Sequence, residues 1–198
     1  SERKKYPSIR PYGVSPDLRY ELIVKEYNLW LEDKEQKKQV QLTFDGDKDY
    51  EFETANTEWL SDDGTFYLTR EDKRNIRTFP LVYSLREPAP TVSEYKYELP
   101  GDTAVLKQEL FIGNVKTGMF KKVDVVKWRG QLLEVLKVAD VQDRVFFIRK
   151  KGTRNEFELC SVDAKTGEVK VILHEVSKPY LNEELFSCRV LNGGKDIL

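Results

Sequence analysis

Apolar and polar residues alternate on both sides of a bend between Glu158 and Glu175. Leu159 and Val162 precede the bend and Val169, Val171 and Leu173 follow it, while Asp163-Ala164-Lys165-Thr166-Gly167 supplies the turn, with glycine where a positive φ is needed. The pattern predicts a strand, a tight turn and a second strand. Glu109-Leu110-Phe111-Ile112-Gly113-Asn114-Val115-Lys116-Thr117-Gly118 repeats the plan, and both copies carry Lys-Thr-Gly at the bend. Leu110 and Leu159 are 159 − 110 = 49 residues apart, a period expected of propeller blades or solenoids. A third, degenerate copy runs from Leu29 to Leu42, because 42 − 29, 123 − 110 and 172 − 159 all equal 13.

Other segments fit the same β-rich plan. Residues 1–13 are polar and carry Pro7, Pro11 and Gly13, which predicts an irregular lead-in, with the folded domain spanning 14–198. Val14 to Asp17 reads as a strand end and turn, followed by Leu22-Ile23-Val24. Glu58 to Ser61 and Thr65 to Arg70 flank Asp62-Asp63-Gly64, a strong hairpin signal. Between Arg70 and Glu109 the pattern loosens, with four prolines and Tyr83, Tyr95 and Tyr97, as in an insertion or a surface loop. Val125 to Trp128, Leu132 to Leu136 and Arg144 to Ile148 are successive strand candidates, with a helix as the rival for 132–138. Leu185 to Leu191, Asn192 to Lys195 and Asp196 to Leu198 begin one more hairpin. An unpaired apolar edge there invites aggregation, so the 198 residues are expected to be a fragment of a longer protein and to self-associate. The fold class is therefore all-β: a partial β-propeller of about three four-stranded antiparallel blades plus the start of another.

Composition narrows the chemistry. With 33 Lys and Arg against 34 Asp and Glu, the net charge is −1, which leaves no electrostatic footprint for nucleic acid. No apolar run approaches the roughly 20 residues of a membrane helix. Asp45-Gly46-Asp47-Lys48-Asp49 has spaced carboxylates but not the twelve-residue calcium loop, so it reads as a solvated turn. One histidine, His174, and two distant cysteines make a zinc site improbable, and no phosphate-cradling glycine loop is present, so no cofactor is expected. Cys160 and Cys188 either pair, if their strands are adjacent, or are buried small apolar side chains; the second reading is favoured. Trp30, Trp59 and Trp128 each lie in a strand-like run, where core packing is the expected use.

An ordered set of motifs is more specific. Gln41-Leu42-Thr43-Phe44-Asp45-Gly46, Trp-x-Ser-x-Asp-Gly from Trp59 to Gly64, Thr78-Phe79-Pro80-Leu81 leading to Tyr95-Lys96-Tyr97-Glu98-Leu99-Pro100-Gly101-Asp102, and Asp-x-Lys-Thr-Gly from Asp163 to Gly167 resemble, in order, the N-terminal propeller of dipeptidyl peptidase IV-like serine peptidases in the prolyl oligopeptidase superfamily. The resemblance covers roughly Val14 to Leu198.

It implies a propeller that caps a C-terminal α/β-hydrolase domain of the same chain, shapes peptide access, and belongs to a periplasmic or cell-surface enzyme. The catalytic triad would lie downstream of Leu198, and no Gly-x-Ser-x-Gly nucleophile elbow occurs in this chain, so no catalytic residue is expected here. Members of that family hold the substrate's amino terminus with a paired glutamate motif. Its nearest echo here is Tyr50-Glu51-Phe52-Glu53, which makes Glu51 and Glu53 the candidate anchors, although residues alternating in this way also suit a solvent-facing strand. A non-catalytic binding propeller from a degenerate peptidase homologue is the alternative.

Overall fold

A computed structural model describes residues 11–60, 64–85, 87–99, 101–138, 141–179, 182 and 188–197. Apart from two 3-10 turns, every regular element among them is a strand. β1 (Tyr20–Lys25), β2 (Asn28–Asp33) and β3 (Lys38–Gln41) form the first sheet in that order. The second sheet runs β4 (Glu58–Trp59), β5 (Thr65–Asp72), β8 (Lys107–Asn114), β9 (Met119–Val123); between β5 and β8 the chain makes a separate hairpin of β6 (Thr78–Tyr83) and β7 (Thr91–Lys96). The third sheet is β10 (Leu132–Leu136), β11 (Arg144–Lys150), β12 (Glu156–Asp163), β13 (Val169–Val176), and β14 (Val190–Leu191) pairs with β15 (Asp196–Ile197).

The repeated bend has one physical cause in all three copies. Asp163 Oδ1 accepts the backbone N–H groups of Lys165 and Thr166 at 2.9 and 2.7 Å, Asn114 Oδ1 those of Lys116 and Thr117 at 2.9 Å each, and Asp33 Oδ1 those of Glu35 and Gln36 at 3.0 Å each. A side-chain oxygen thus fixes the turn. Gly167 and Gly118 close it at φ +77° and +71°, and the degenerate copy places Lys37 there at φ +52°.

Alternation along the strands makes each sheet two-faced, and successive sheets pack face to face as blades. Leu22 and Leu29 of the first sheet meet Phe66, Leu68 and Phe111 of the second, with Phe52 between them. On the other face of the second sheet, Tyr67, Leu110 and Ile112 meet Val145, Phe147, Cys160 and Val162 of the third. Ile148, Phe157 and Leu159 cover the far face of the third sheet together with Cys188. Each fully buried Leu, Ile, Val or Phe among these contributes about 1.5–3 kcal/mol. The architecture is the expected all-β partial propeller. The second and third sheets are four-stranded; the first has three strands, with Gly13 to Ser15 in the inner position through the Leu22 N–H to Gly13 carbonyl bond and the Val14–Glu21 bridge.

Several local expectations change. Residues 1–10 of the lead-in, 61–63 in the bend between Glu58 and Arg70, and 185–187 and 198 of the last hairpin lie outside the described residues. The loose stretch after Arg70 contains the ordered β6–β7 hairpin, whose Val82, Val92 and Tyr95 are exposed. Residues 132–136 form the expected strand and not the rival helix. Val125 to Trp128 is not a strand, because side chains take the place of a neighbouring strand. Gln131 Oε1 accepts the N–H groups of Lys127 and Trp128, while Gln131 Nε2 and Arg149 donate to the Val125 carbonyl at 3.0 Å each. Cys160 and Cys188 are both free and serve different cores, on opposite faces of the third sheet, so they do not pair. Burial pushes the Cys160 thiol up to about 11.

Gly113 lies opposite Phe66 in the β5–β8 register, and a Cβ there would sit 2.3 Å from the Phe66 ring. That ring is buried against the first sheet and has no room to retreat. Gly113→Ala is therefore expected to lower stability by roughly 1–3 kcal/mol, read as the shift in a urea unfolding midpoint; an unchanged midpoint would contradict this packing.

Candidate functional site

Two buried arginines organise the inner part of the molecule. Arg70 of β5 is only 3% exposed and lies opposite Glu109 of β8. Its guanidinium stacks 3.4 Å from the Tyr50 ring centre and donates to both oxygens of Asp45 at 3.0 and 3.1 Å. Glu109 lies 3.6 Å from it, accepts the Tyr50 hydroxyl at 2.7 Å, and is also bound by Lys122. Asp45 is held below the usual carboxylate range by its hydrogen bonds from Arg70. The acidic loop that superficially suits calcium thus has its first carboxylate occupied by a guanidinium. Among the described residues no three His, Cys, Asp or Glu side chains gather as metal ligands.

The third sheet repeats the arrangement. Arg149 of β11 lies opposite Glu158 of β12 and donates to it at 2.8 Å, and Lys127 binds the same carboxylate. In each case the arginine also clasps the link entering its sheet: residues 45–50 for Arg70, and the Val125 carbonyl for Arg149.

Because Arg70 fixes Asp45 and Tyr50, the next residues are placed as well. Phe52 is buried, bridging to Arg70 through the backbone and meeting Phe111 edge-on at 5.0 Å, whereas Glu51 and Glu53 on either side of it are exposed. Both glutamates line a cavity of about 510 Å³ between the inner strands of the second and third sheets, β4 and β10. Asn56 donates to Glu53 at 3.3 Å. Glu51 has no hydrogen-bond or ion-pair partner among the described residues.

The cavity also contains groups that inspection of the sequence missed. Glu58 of β4 is paired with Lys137, just beyond β10, and Glu71 of β5 with Lys73 at 2.6 Å. Gln108 of β8 donates to Glu71 at 3.4 Å and accepts the Leu133 N–H of β10 at 2.7 Å, so one side chain joins the two sheets. Tyr67 of β5 faces the same space from directly opposite Glu58. Burial, together with the Glu58 charge, pushes its phenol well above the ordinary tyrosine range. The available signal was the register of the hairpin around Asp62-Asp63-Gly64, which places Glu58 and Tyr67 as cross-strand neighbours.

Other candidates fall elsewhere. His174 pairs with Glu156 at 3.0 Å on the outer strands of the third sheet. Trp59 packs on the core between the first and second sheets, while Trp30 and Trp128 are half-buried beneath Lys25 and Lys127. Among the described residues no helix is long and apolar enough to cross a membrane.

Comparison with known proteins gives a consistent match. A family model described as the dipeptidyl peptidase IV (DPP IV) N-terminal region matches residues 3–197. No curated protein matches the chain. Among solved structures, dipeptidyl peptidase 4 of Porphyromonas gingivalis is similar with a TM-score of 0.75 and 20% identity, over 93% of this chain and 28% of that one. A Bacteroides ovatus protein assigned as a dipeptidyl aminopeptidase IV is similar with a TM-score of 0.56 and 14% identity, over 82% of this chain and 29% of that one. The chain thus spans less than a third of the length of either.

The arginine clasps have a measurable pH signature. Burial works to raise the Glu158 carboxyl, but hydrogen bonds from Lys127 and Arg149 outweigh it and leave it below its ordinary 4.5. A depressed carboxyl contributes stability above that value and loses it as pH falls. Glu158→Gln is expected to cost about 3 kcal/mol at neutral pH by leaving Arg149 under-compensated. The gap should narrow as pH drops below 4.5. Urea titrations at several pH values check this; a gap that widens in acid would contradict it.

Proposed function

The chain belongs to the dipeptidyl peptidase IV N-terminal region family, and we propose that it is the non-catalytic propeller portion of an exported serine peptidase of the dipeptidyl or prolyl peptidase type. In this reading its inner surface shapes and gates peptide access to a hydrolase domain supplied by the C-terminal part of the same protein, at the periplasm or cell surface. The observation that carries it is the placement of Glu51 and Glu53. Two exposed carboxylates on one clasped loop face a cavity large enough for the end of a peptide. Carboxylates so placed attract a protonated amino terminus through charge-assisted hydrogen bonds.

The chemistry of bond cleavage is assigned outside this chain. The sequence has no Gly-x-Ser-x-Gly elbow, and His174 is committed to Glu156 on the outer strands.

One observation favours a second reading, a binding propeller of a degenerate peptidase homologue. Glu51 and Glu53 are separated by Phe52, whose side chain is buried in the opposite direction, so the two carboxylates are not consecutive as in the paired motif.

One measurement separates the readings, and another tests where bond cleavage is placed. Triglycine should shift NMR signals of the chain and N-acetyl-triglycine should not, with the response lost in the double variant Glu51→Gln, Glu53→Gln. Equal binding of both peptides would remove the amino-terminus anchor and favour the second reading. Incubated with a chromogenic X-Pro dipeptide substrate, the chain should give no turnover; robust hydrolysis would overturn the assignment of catalysis to another domain.

A further inference from the structure

Tyr67 is 5% exposed, and its ring packs among Leu110, Ile112 and Phe147 in the core between the second and third sheets. It also lines the 510 Å³ cavity. No described residue accepts or donates a hydrogen bond at its hydroxyl. A phenol whose ring is buried is ordinarily given a partner, and here the cavity is the direction left open. Phenylalanine would fill the core equally well, so packing alone does not account for the hydroxyl.

Its neighbours define what the hydroxyl would meet. Glu58 stands directly across the β4–β5 pair on the same face. Its carboxylate is held by Lys137, which follows β10 of the opposite sheet, has a side chain 73% exposed and is therefore easily displaced. Leu133 and Val135 of β10 give the adjoining wall an apolar character. The subsite thus combines an apolar wall, a neutral hydrogen-bond donor and a carboxylate whose present counter-ion is a solvated lysine.

We propose that Tyr67 and Glu58 form a specificity subsite for a basic side chain of a bound peptide, whose cationic head replaces Lys137 on Glu58 while the Tyr67 hydroxyl donates to a peptide carbonyl. The proposal rests on the reading of the cavity as a peptide site, and it adds a preference for lysine or arginine next to the anchored end. Glu51 and Glu53 hold the amino terminus; Glu58 takes the side chain. Lys137 returns to bulk water when displaced, whereas the peptide's ammonium stays held between Glu58 and the apolar wall, so a basic side chain gains a charge-assisted bond that an uncharged one does not, and the Tyr67 hydrogen bond adds to both. Truncating Lys137 removes the resident competitor.

The test titrates the chain with Gly-Lys-Gly and with the uncharged Gly-Met-Gly, followed by NMR. The chain should bind Gly-Lys-Gly about fivefold or more tighter, the order expected of one charge-assisted bond. Glu58→Gln should abolish the preference, and Lys137→Met should tighten Gly-Lys-Gly. Tyr67→Phe should weaken both peptides about threefold while leaving the melting temperature unchanged, since the hydroxyl has no structural partner to lose. Equal affinity for the two peptides, or full affinity in Tyr67→Phe, overturns the subsite. If binding is lost in the Glu51, Glu53 double variant but insensitive to Glu58→Gln and Tyr67→Phe, the anchor stands and the subsite falls. If the reverse holds, the subsite stands and the anchor falls. Failure of the wild-type chain to bind either peptide overturns both.

Discussion

The arrangement of this chain depends on burying a guanidinium between strands without leaving its charge unanswered. Stripping an arginine of water costs several kcal/mol, and only close, well-oriented partners offset it. Arg70 meets Asp45, Glu109 and the face of Tyr50; Arg149 meets Glu158 and the Val125 carbonyl. In both sheets the partners come from two sources: the neighbouring strand and the link that enters the sheet. Each arginine therefore fixes strand register and link conformation at once. Hydrophobic contacts bring the blades together, but they are tolerant of sliding; the arginines are not.

The candidate site follows from that constraint. Glu51 and Glu53 reach the cavity because Tyr50 and Phe52 are drawn the other way, onto Arg70 and into the aromatic cluster with Phe111 and Phe120. A short irregular segment would otherwise have many conformations, and here alternate residues are pinned. Charge is partitioned accordingly. The arginines answer carboxylates inside the sheets, whereas the cavity carboxylates Glu58 and Glu71 have solvated lysines as their cations, Gln108 also donating to Glu71, and Glu51 has no partner among the described residues.

Much of the blade plan was legible in the chain, because it rests on local chemistry: an Asx oxygen four residues ahead of a residue with positive φ, flanked by alternating apolar positions. Even the degenerate first copy obeys it through Asp33 and Lys37. The buried clasps were not legible for a definite reason. Glu109 and Glu158 keep the period, 158 − 109 = 49, but the arginines are 149 − 70 = 79 apart, because the β6–β7 hairpin intervenes between β5 and β8 in the second sheet and has no counterpart in the third. Val125 to Trp128 misled for a related reason. Its apolar residues suit a strand, yet its backbone is satisfied by Gln131 and Arg149, which a reading of propensity does not see. Glu51 and Glu53 could be picked out by motif; Glu58, Tyr67 and Lys137 come together only through pairing across the sheet and packing between sheets.

Gln108 gives the cavity a mechanical character. Its amide holds Glu71 within its own sheet with one end and the backbone of Leu133 in the next sheet with the other. The cavity walls are thus not independent surfaces but two plates joined by one side chain. A small rotation of one blade against the next must lengthen one of those bonds or drag Glu71 with it, so a strain arising between blades registers at the cavity as a displaced charge.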